Sequence, residues 1–154
     1  MKKLFLLLPL LLLTAAAQDS KPDFSGAWVM NVAKSDFGPL PPTEAQTNVV
    51  EHNDPKLNVK VTAKTAQGEL QSELSYTTDG EENTNEVRGT VRKSRTRWDN
   101  KELVTEVSFE NQGNRIKIVD RWTLSDGGRI LTVTRAIASD LGDAAQKLIF
   151  TRRE

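Results

Sequence analysis

Residues 90–137 decide the fold, and they read TVRKSRTRWDN KELVTEVSFE NQGNRIKIVD RWTLSDGGRI LTVTRAI. Apolar and polar residues alternate along this stretch, which is the pattern of β-strands with one buried face. Three short polar pairs interrupt the alternation, at Asp99-Asn100, Gln112-Gly113 and Asp126-Gly127. Asn and Gly adopt positive φ readily, as two-residue hairpin turns require. The stretch therefore predicts antiparallel strands joined by tight hairpins.

The same alternation continues toward both termini, with turn residues at Asp54-Pro55, Gln67-Gly68 and Asp79-Gly80. The predicted strands are 26–32, 45–53, 56–64, 69–77, 84–88, 90–98, 101–109, 114–124, 129–137 and 144–152. Consecutive strands with short turns are typical of an up-and-down meander, and closure into a barrel would remove its exposed edges. The sequence thus predicts an all-β fold, a single antiparallel up-and-down β-barrel of about 8 to 10 strands.

The amino terminus has the features of a secretory signal peptide. Met1-Lys2-Lys3 is basic, residues 4–13 are almost entirely apolar, and residues 15–17 offer a cleavage site of the Ala-x-Ala type. The apolar run is shorter than the roughly 20 residues that a membrane-spanning helix needs. We therefore expect a signal peptide at 1–17, export to the periplasm or the external medium, and a single barrel domain at 18–154.

Composition narrows the classes of partner. The 154 residues include 21 basic and 21 acidic ones, so no excess of positive charge favours nucleic acid or an anionic membrane surface. The chain contains no cysteine, and an exported fold without disulfides must be stabilised by burial and hydrogen bonding. We expect no nucleic-acid partner and no membrane span.

The turn positions predict which side chains face each other across the strands. The predicted inward pairs are Thr96 with Leu103, Ser94 with Thr105, Thr105 with Asp120, Leu103 with Trp122, Trp122 with Leu131, Asp120 with Val133, Val133 with Leu148, and Arg135 with Gln146. On the outer face, Arg97 would lie opposite Glu102, a favourable pair of opposite charges. In this register Asp120 and Arg135 are diagonal neighbours. A loop longer by two residues after Leu124 would place them directly opposite each other.

A belt of polar residues interrupts the apolar inward face. It comprises Arg92, Ser94, Thr105, Asp120, Arg135 and Gln146. An unpaired ion among apolar neighbours costs several kcal/mol, so these charges require an explanation. Three alternatives are open: a structural ion pair between Asp120 and Arg135; a cavity in which Arg92 or Arg135 binds the carboxylate of a partly apolar molecule; or a sheet that never closes. Trp98, beside a turn at the rim, completes the candidate ligand-binding residues as a guard of the entrance.

Signals of catalysis or metal binding are weak. His52 is the only histidine, so no histidine cluster can hold a metal, and we interpret it as a solvated strand residue. The chain has no Gly-x-Ser-x-Gly elbow, phosphate loop or dinucleotide fingerprint. We expect neither an enzyme nor a bound cofactor or metal.

The segment Asp23-Phe24-Ser25-Gly26-Ala27-Trp28 resembles the Gly-x-Trp opening of lipocalin-like and related calycin barrels. The resemblance implies that Trp28 packs across the barrel floor beside a basic residue from a late strand, here Arg135 or Arg152. A count of about ten strands is similar to the fatty-acid-binding-protein branch, although the helical pair that covers the barrel in that branch has no counterpart in this sequence.

A second resemblance covers most of the chain after residue 17. The opening segment, together with Asn31 and residues 34–39, resembles the start of small exported bacterial proteins of unassigned function, and residues 120–127 resemble their late hairpin. This resemblance implies export and a barrel, without an activity.

Two functional hypotheses follow from the polar belt. In the first, an exported barrel binds a small, partly apolar molecule, either neutral or anionic, and Arg92 and Arg135 line a cavity of at least a few hundred Å³. In the second, the protein has a structural or interaction role in the cell envelope, with a filled core. That hypothesis predicts no cavity, a direct Asp120–Arg135 pair, and an exposed apolar patch elsewhere.

Overall fold

The computed structural model describes residues 20–154, so the predicted signal peptide at 1–17 lies outside the described residues. Ten strands form one antiparallel sheet. They are β1 Gly26–Met30, β2 Ala45–Asn53, β3 Lys56–Thr65, β4 Gly68–Thr77, β5 Asp79–Val87, β6 Thr90–Asp99, β7 Glu102–Asn111, β8 Asn114–Ser125, β9 Ile130–Ser139 and β10 Ala144–Arg152. Single turns of 3₁₀ helix follow β1 at Val32–Lys34 and β8 at Asp126–Gly128. The predicted all-β fold is confirmed.

The sheet closes into a barrel because its first and last strands pair. The strand order is β4-β3-β2-β1-β10-β9-β8-β7-β6-β5, so β1 lies between β2 and β10, and Trp28 is opposite Arg152. The two ends of this order, β4 and β5, lie side by side without a backbone ladder. The predicted up-and-down barrel is therefore confirmed as a nearly closed one.

The register is as predicted in two of the late hairpins. In the hairpin of β7 and β8, Thr105 is opposite Asp120, and in that of β9 and β10, Arg135 is opposite Gln146. Both hairpins keep the predicted inward face. Because side chains alternate strictly along a strand, agreement at one pair fixes the facing of the whole strand.

The predicted turn between β6 and β7 is wrong by one residue. Asp99 pairs with Glu102, so the turn is Asn100-Lys101, with Asn100 at φ 55°. The inward pairs become Thr96 with Thr105, Ser94 with Val107 and Trp98 with Leu103, and Arg97 lies opposite Val104 instead of Glu102. The physical reason is on the outer face, where the guanidinium of Arg121 binds both strand-end carboxylates, at 3.0 Å from Asp99 and 2.9 Å from Glu102.

The connection between β8 and β9 is longer than predicted. It spans Asp126-Gly127-Gly128-Arg129, because Ser125 pairs with Ile130. Three successive residues have positive φ, of 52°, 64° and 82° at Asp126, Gly127 and Gly128, which the two adjacent glycines permit. The two extra residues move Asp120 directly opposite Arg135. The predicted diagonal arrangement is wrong, and the alternative with the longer loop is the one observed.

One end of the barrel, the floor, is filled by aromatic side chains from the start of the chain. Phe24 and Trp28 are fully buried, and the Trp28 indole donates a hydrogen bond to the Phe24 carbonyl at 2.9 Å. The Arg152 guanidinium lies 4.5 Å from the centre of the Trp28 ring. Arg152, and not Arg135, is therefore the late-strand basic partner of this tryptophan.

His52 belongs to the floor, so its interpretation as a solvated residue is wrong. Its side chain is only 4% exposed, and Nδ1 accepts a hydrogen bond from the Phe24 backbone N–H at 3.3 Å. Its ring packs against those of Phe24 and Trp98. The strand pattern of β2 could not show this burial, because the covering segment, residues 20–25, precedes the first strand.

Asp54 ties the floor together from the turn between β2 and β3. Its carboxylate accepts hydrogen bonds from the Thr78 hydroxyl, from the Trp98 indole at 2.9 Å, and from the Lys21 ammonium at 3.0 Å. Burial acts to raise the pKa of Asp54, but these three donors together outweigh it and lower the pKa to about 2.

The low pKa of Asp54 predicts an acid-dependent loss of stability. A carboxylate with a depressed folded-state pKa stabilises the protein above its unfolded pKa, near 4, and this contribution is lost as the pH falls through about 2. We expect the stability advantage of the wild type over Asp54→Asn to fall by about 1 kcal/mol between pH 4 and pH 2, a value discounted for solvent screening. Urea unfolding of both proteins across this range measures it. An advantage that is constant with pH would contradict this assignment.

Candidate functional site

The barrel has a packed floor and a looser opposite end, the mouth. Leu103 and Leu131, near the floor, are fully buried. Phe109, Ile116 and Ile137 also face inward, but they lie toward the mouth and keep partial exposure. The polar belt lies between these two regions, where the strands carry their inward polar side chains.

An ion pair occupies the centre of the belt. The Arg135 guanidinium donates two parallel hydrogen bonds to the Asp120 carboxylate, both of 2.7 Å. Asp120 is buried, and the charge of its carboxylate raises the pKa of Arg135 against the effect of burial. Both charges are therefore compensated, since a bidentate fork is the strongest geometry for such a pair.

Arg92 lies on β6, two strands away from Asp120 on β8, and has no such partner among the described residues. Its guanidinium carbon lies 4.3 Å from the centre of the Phe109 ring, and its Nε is buried without a hydrogen-bond acceptor. Burial lowers the pKa of Arg92; the Tyr76 hydroxyl opposes this effect, and the positive charge of Arg135 adds to it. Among residues 20–154, no carboxylate forms an ion pair with Arg92.

Tyr76, on β4, is a site residue that the sequence analysis missed. Burial raises its pKa to about 12, and the negative charge of Asp120 adds to this effect, while Arg135 and Arg92 oppose it. Its hydroxyl therefore stays protonated at neutral pH and can donate a hydrogen bond. The alternation of β4 is a signal that would place Tyr76 on the inward face, but no turn in the sequence relates β4 to the late strands.

Four of the six belt residues converge on a cavity of about 100 Å³. Its lining residues are Leu74, Tyr76, Asn85, Val87, Arg92, Ser94, Val107, Ile118, Asp120 and Arg135. Four of the seven predicted site residues are among them. The hydroxyl oxygen of Ser94, like Arg92 Nε, is buried without a hydrogen-bond partner. The cavity thus contains buried hydrogen-bonding capacity that the described chain does not use.

The other three predicted site residues lie elsewhere. The Thr105 hydroxyl is 2.9 Å from that of Thr96, within a buried pair. Gln146 donates to the Phe37 carbonyl at 3.2 Å, which ties β10 to the connector after β1. Trp98 is held by Asp54 at the floor. The structure assigns each of these side chains a protein partner.

Side chains replace backbone pairing at one part of the barrel wall. Between β4 and β5, the Ser75 backbone N–H donates to the Asn85 side-chain oxygen at 2.8 Å, and the Asn85 amide nitrogen donates to the Ser75 carbonyl at 3.0 Å. One step nearer the floor, the Thr77 N–H donates to the Asn83 side-chain oxygen at 2.8 Å. We call this junction the seam. Asn85 belongs both to the seam and to the cavity lining.

Two further features of residues 20–154 concern metal binding and membrane-crossing helices. The described chain contains no group of three or more His, Cys, Asp and Glu side chains arranged to hold a metal ion. Nor does that part of the chain contain a helix with the length and apolar character needed to cross a membrane.

The buried ion pair generates a stability prediction. Asp120→Ala leaves the Arg135 charge without its partner, and we expect a loss of about 2 to 4 kcal/mol in the free energy of unfolding. The double variant Asp120→Leu with Arg135→Met removes both charges and should recover most of this loss. Urea unfolding measures both changes.

Glu106→Ala is the matched control. It breaks an outer-face pair with Lys117, 3.2 Å apart and largely exposed, and should cost less than about 1 kcal/mol. If Asp120→Ala proved no more destabilising than this control, the pair would not be a buried one.

The comparisons with known proteins identify the fold. No protein-family model and no curated protein sequence matches this chain. Solved structures do: a secretory abundant heat soluble protein from Ramazzottius varieornatus has a TM-score of 0.63 and 14% identity over 84% of this chain and 94% of its own. Secretory abundant heat soluble protein 4 from the same organism has a TM-score of 0.56 and 13% identity over 85% of this chain and 95% of its own. Human cRBP IV has a TM-score of 0.52 and 17% identity over 86% of this chain and 99% of its own. The fold is thus similar to the calycin barrels of the lipocalin and fatty-acid-binding type.

Proposed function

We propose that this barrel binds a small, largely apolar molecule with a single negative charge, and that Arg92 binds the charged end. The observation that carries the proposal is that the Arg92 guanidinium has no carboxylate partner among residues 20–154 and a buried Nε without an acceptor. A half-buried cation without a carboxylate is unfavourable in the free protein, and a bound anion would remove that cost. Its planar fork suits a carboxylate, which it can bind through two parallel hydrogen bonds.

The charges around the cavity favour a monoanion. The lining carries two guanidinium groups and one carboxylate, and Tyr76 is neutral because its pKa is about 12. One positive charge therefore lacks a counterion. A carboxylate would balance it, whereas a doubly charged phosphate monoester would leave a negative charge buried beside Asp120.

The size of the cavity sets what it holds without rearrangement. A volume of about 100 Å³ is smaller than the few hundred Å³ that the binding hypothesis predicted. It corresponds to about three molecules of liquid water, enough for a carboxylate and a few carbon atoms. The apolar lining residues Leu74, Val87, Val107 and Ile118 would contact the first carbons. A longer molecule requires the wall or the mouth to widen.

Human cRBP IV, a cellular retinol-binding protein, supports a binding role in preference to catalysis, because it has the same fold with a small apolar molecule as its namesake ligand. For this chain we infer binding without an enzymatic step. Export also belongs to the proposal. The basic and apolar segments of residues 1–17 support it, as does the resemblance of the opening segment to small exported bacterial proteins.

The proposal predicts a difference between probes of equal chain length. Octanoate should bind at least tenfold more tightly than octanol, because charge-assisted hydrogen bonds contribute about 1.5 to 3 kcal/mol each. Octyl phosphate should bind more weakly than octanoate. Arg92→Met should abolish the preference for octanoate. Isothermal titration calorimetry at neutral pH and fixed salt measures all of these affinities.

Arg97→Met is the control, because Arg97 is an exposed arginine on the outer face of the same strand. It should leave the three affinities unchanged. Equal affinities for octanoate and octanol in the wild type, or an unchanged preference in Arg92→Met, would contradict the assignment.

Native mass spectrometry of protein purified from its own host is an independent test of binding. The expected result is a small molecule that is retained by the protein.

The filled-core alternative keeps one specific support, the direct pairing of Asp120 with Arg135 that it predicted. Its other prediction was an exposed apolar patch. Among residues 20–154, the exposed large apolar side chains are Leu40, Val49, Val91 and Leu141, which come from four separate segments. Failure of every probe to bind would favour this alternative over the carrier.

A further inference from the structure

We propose that the seam between β4 and β5 is the lateral entrance through which a ligand reaches Arg92. This inference rests on the proposed binding function and adds a route to it. At the seam, side chains hold the wall of the cavity together. The two strands can therefore separate there without breaking a backbone ladder.

Backbone pairing distinguishes the seam from the rest of the wall. Each of the other neighbouring strands is joined by a ladder, which reaches ten residue pairs between β3 and β4 and between β8 and β9. Apart from a contact between Thr77 and Asp79 beside the turn, the hydrogen bonds across the seam within the described chain join residues 75–77 of β4 to residues 83–85 of β5. Toward the mouth, residues 73 and 74 of β4 lie beside the last two residues of β5, Glu86 and Val87, and the described chain shows no hydrogen bond between them.

The chemistry of these bonds makes the seam easy to open and close. An asparagine side chain presents the same donor and acceptor as a peptide group, so it satisfies the edge of β4 while the seam is closed. Rotation of that side chain releases the edge to water, which replaces the lost partners. Opening a ladder would instead require a whole strand to move.

The seam opens onto the predicted ligand contacts. Leu74 and Tyr76 line the cavity from β4, and Asn85 and Val87 line it from β5. Asn85 is directly opposite Arg92 in the register of β5 and β6. Rotation of Asn85 away from Ser75 therefore uncovers the unpartnered guanidinium.

The floor end of the seam is anchored, which gives the movement a direction. Thr78 is the single residue between β4 and β5, and its N–H donates to the Pro55 carbonyl at 2.8 Å while its hydroxyl donates to Asp54. Buried Thr78 thus fixes the two strands at one end. Separation must widen toward the mouth, where no seam hydrogen bonds occur among the described residues.

Because the chain lacks cysteine, a cross-link tests the entrance cleanly. Ser75→Cys with Glu86→Cys places two thiols at exposed positions on opposite sides of the seam, to be joined by a short bismaleimide. The control, Lys60→Cys with Glu73→Cys, joins a laddered pair of β3 and β4 in the same way. The probe is 8-anilinonaphthalene-1-sulfonate, an apolar monoanion whose fluorescence rises on burial, followed by stopped flow.

We expect the cross-linked seam to slow association and dissociation of the probe at least tenfold, with an equilibrium affinity within about threefold of the wild type. The control cross-link should change neither rate. Asn83→Ala, which removes a seam bond outside the cavity lining, should accelerate both rates.

Unchanged rates in the cross-linked seam would overturn the lateral entrance and leave the binding function standing, with the mouth as the route. No fluorescence change in the wild type, or an unchanged affinity in Arg92→Met, would instead overturn the binding function and the entrance with it. The two failures are distinguishable because one alters a rate at constant affinity and the other alters the affinity.

Discussion

The pairing of Asp120 with Arg135 is the interaction on which the interior depends. The inward face places two arginines and one aspartate among apolar neighbours, and low-dielectric surroundings demand compensation of each charge. In the observed register Asp120 lies directly opposite Arg135 and accepts two hydrogen bonds of 2.7 Å from it. Asp120 is the only carboxylate in the lining of the cavity. Arg92 is left with an aromatic ring and a buried, unused N–H. The ion pair thereby creates the site, because it decides which guanidinium is unpaired.

That pairing depends in turn on a loop at the floor end of the barrel. The four residues 126–129 set the register of β8 against β9, and a turn of two residues would have placed Asp120 opposite Val133. Side-chain alternation tolerates a slip of two residues without reversing the faces, so both registers bury the same residues. The apolar core alone therefore does not select between them. Compensation of charge selects between the two registers, because the observed one pairs the buried Asp120 carboxylate with Arg135.

The sequence predicted the fold, and it predicted the inward position of four of the residues that line the cavity, for reasons that are specific to local pairing. Hairpins relate strands that are neighbours in the chain, so turn residues and alternation were sufficient to predict the inward face of β6 to β10. Tyr76 and Asn85 face these strands only because the barrel closes, and closure is a long-range event without a local signal. The burial of His52 was not predicted for the same reason, because residues 20–25 cross the floor of the barrel. Turn length was the other weak point, because Gly127-Gly128 is compatible with loops of two or four residues.

The closure of the barrel connects its stability to its proposed function. A barrel laddered all round would have no edges, and it would also have no place where the wall can open without disrupting a strand. Here β1 and β10 close one side through main-chain pairing, whereas Asn83 and Asn85 close the other through side chains. The floor below this seam is held by the hydrogen bonds that Asp54 accepts from Thr78 and Trp98. A rigid floor confines any movement to the upper part of the seam, beside Arg92. Arg92, the charge that the Asp120–Arg135 pair leaves uncompensated, therefore lies behind the part of the wall that has no backbone ladder.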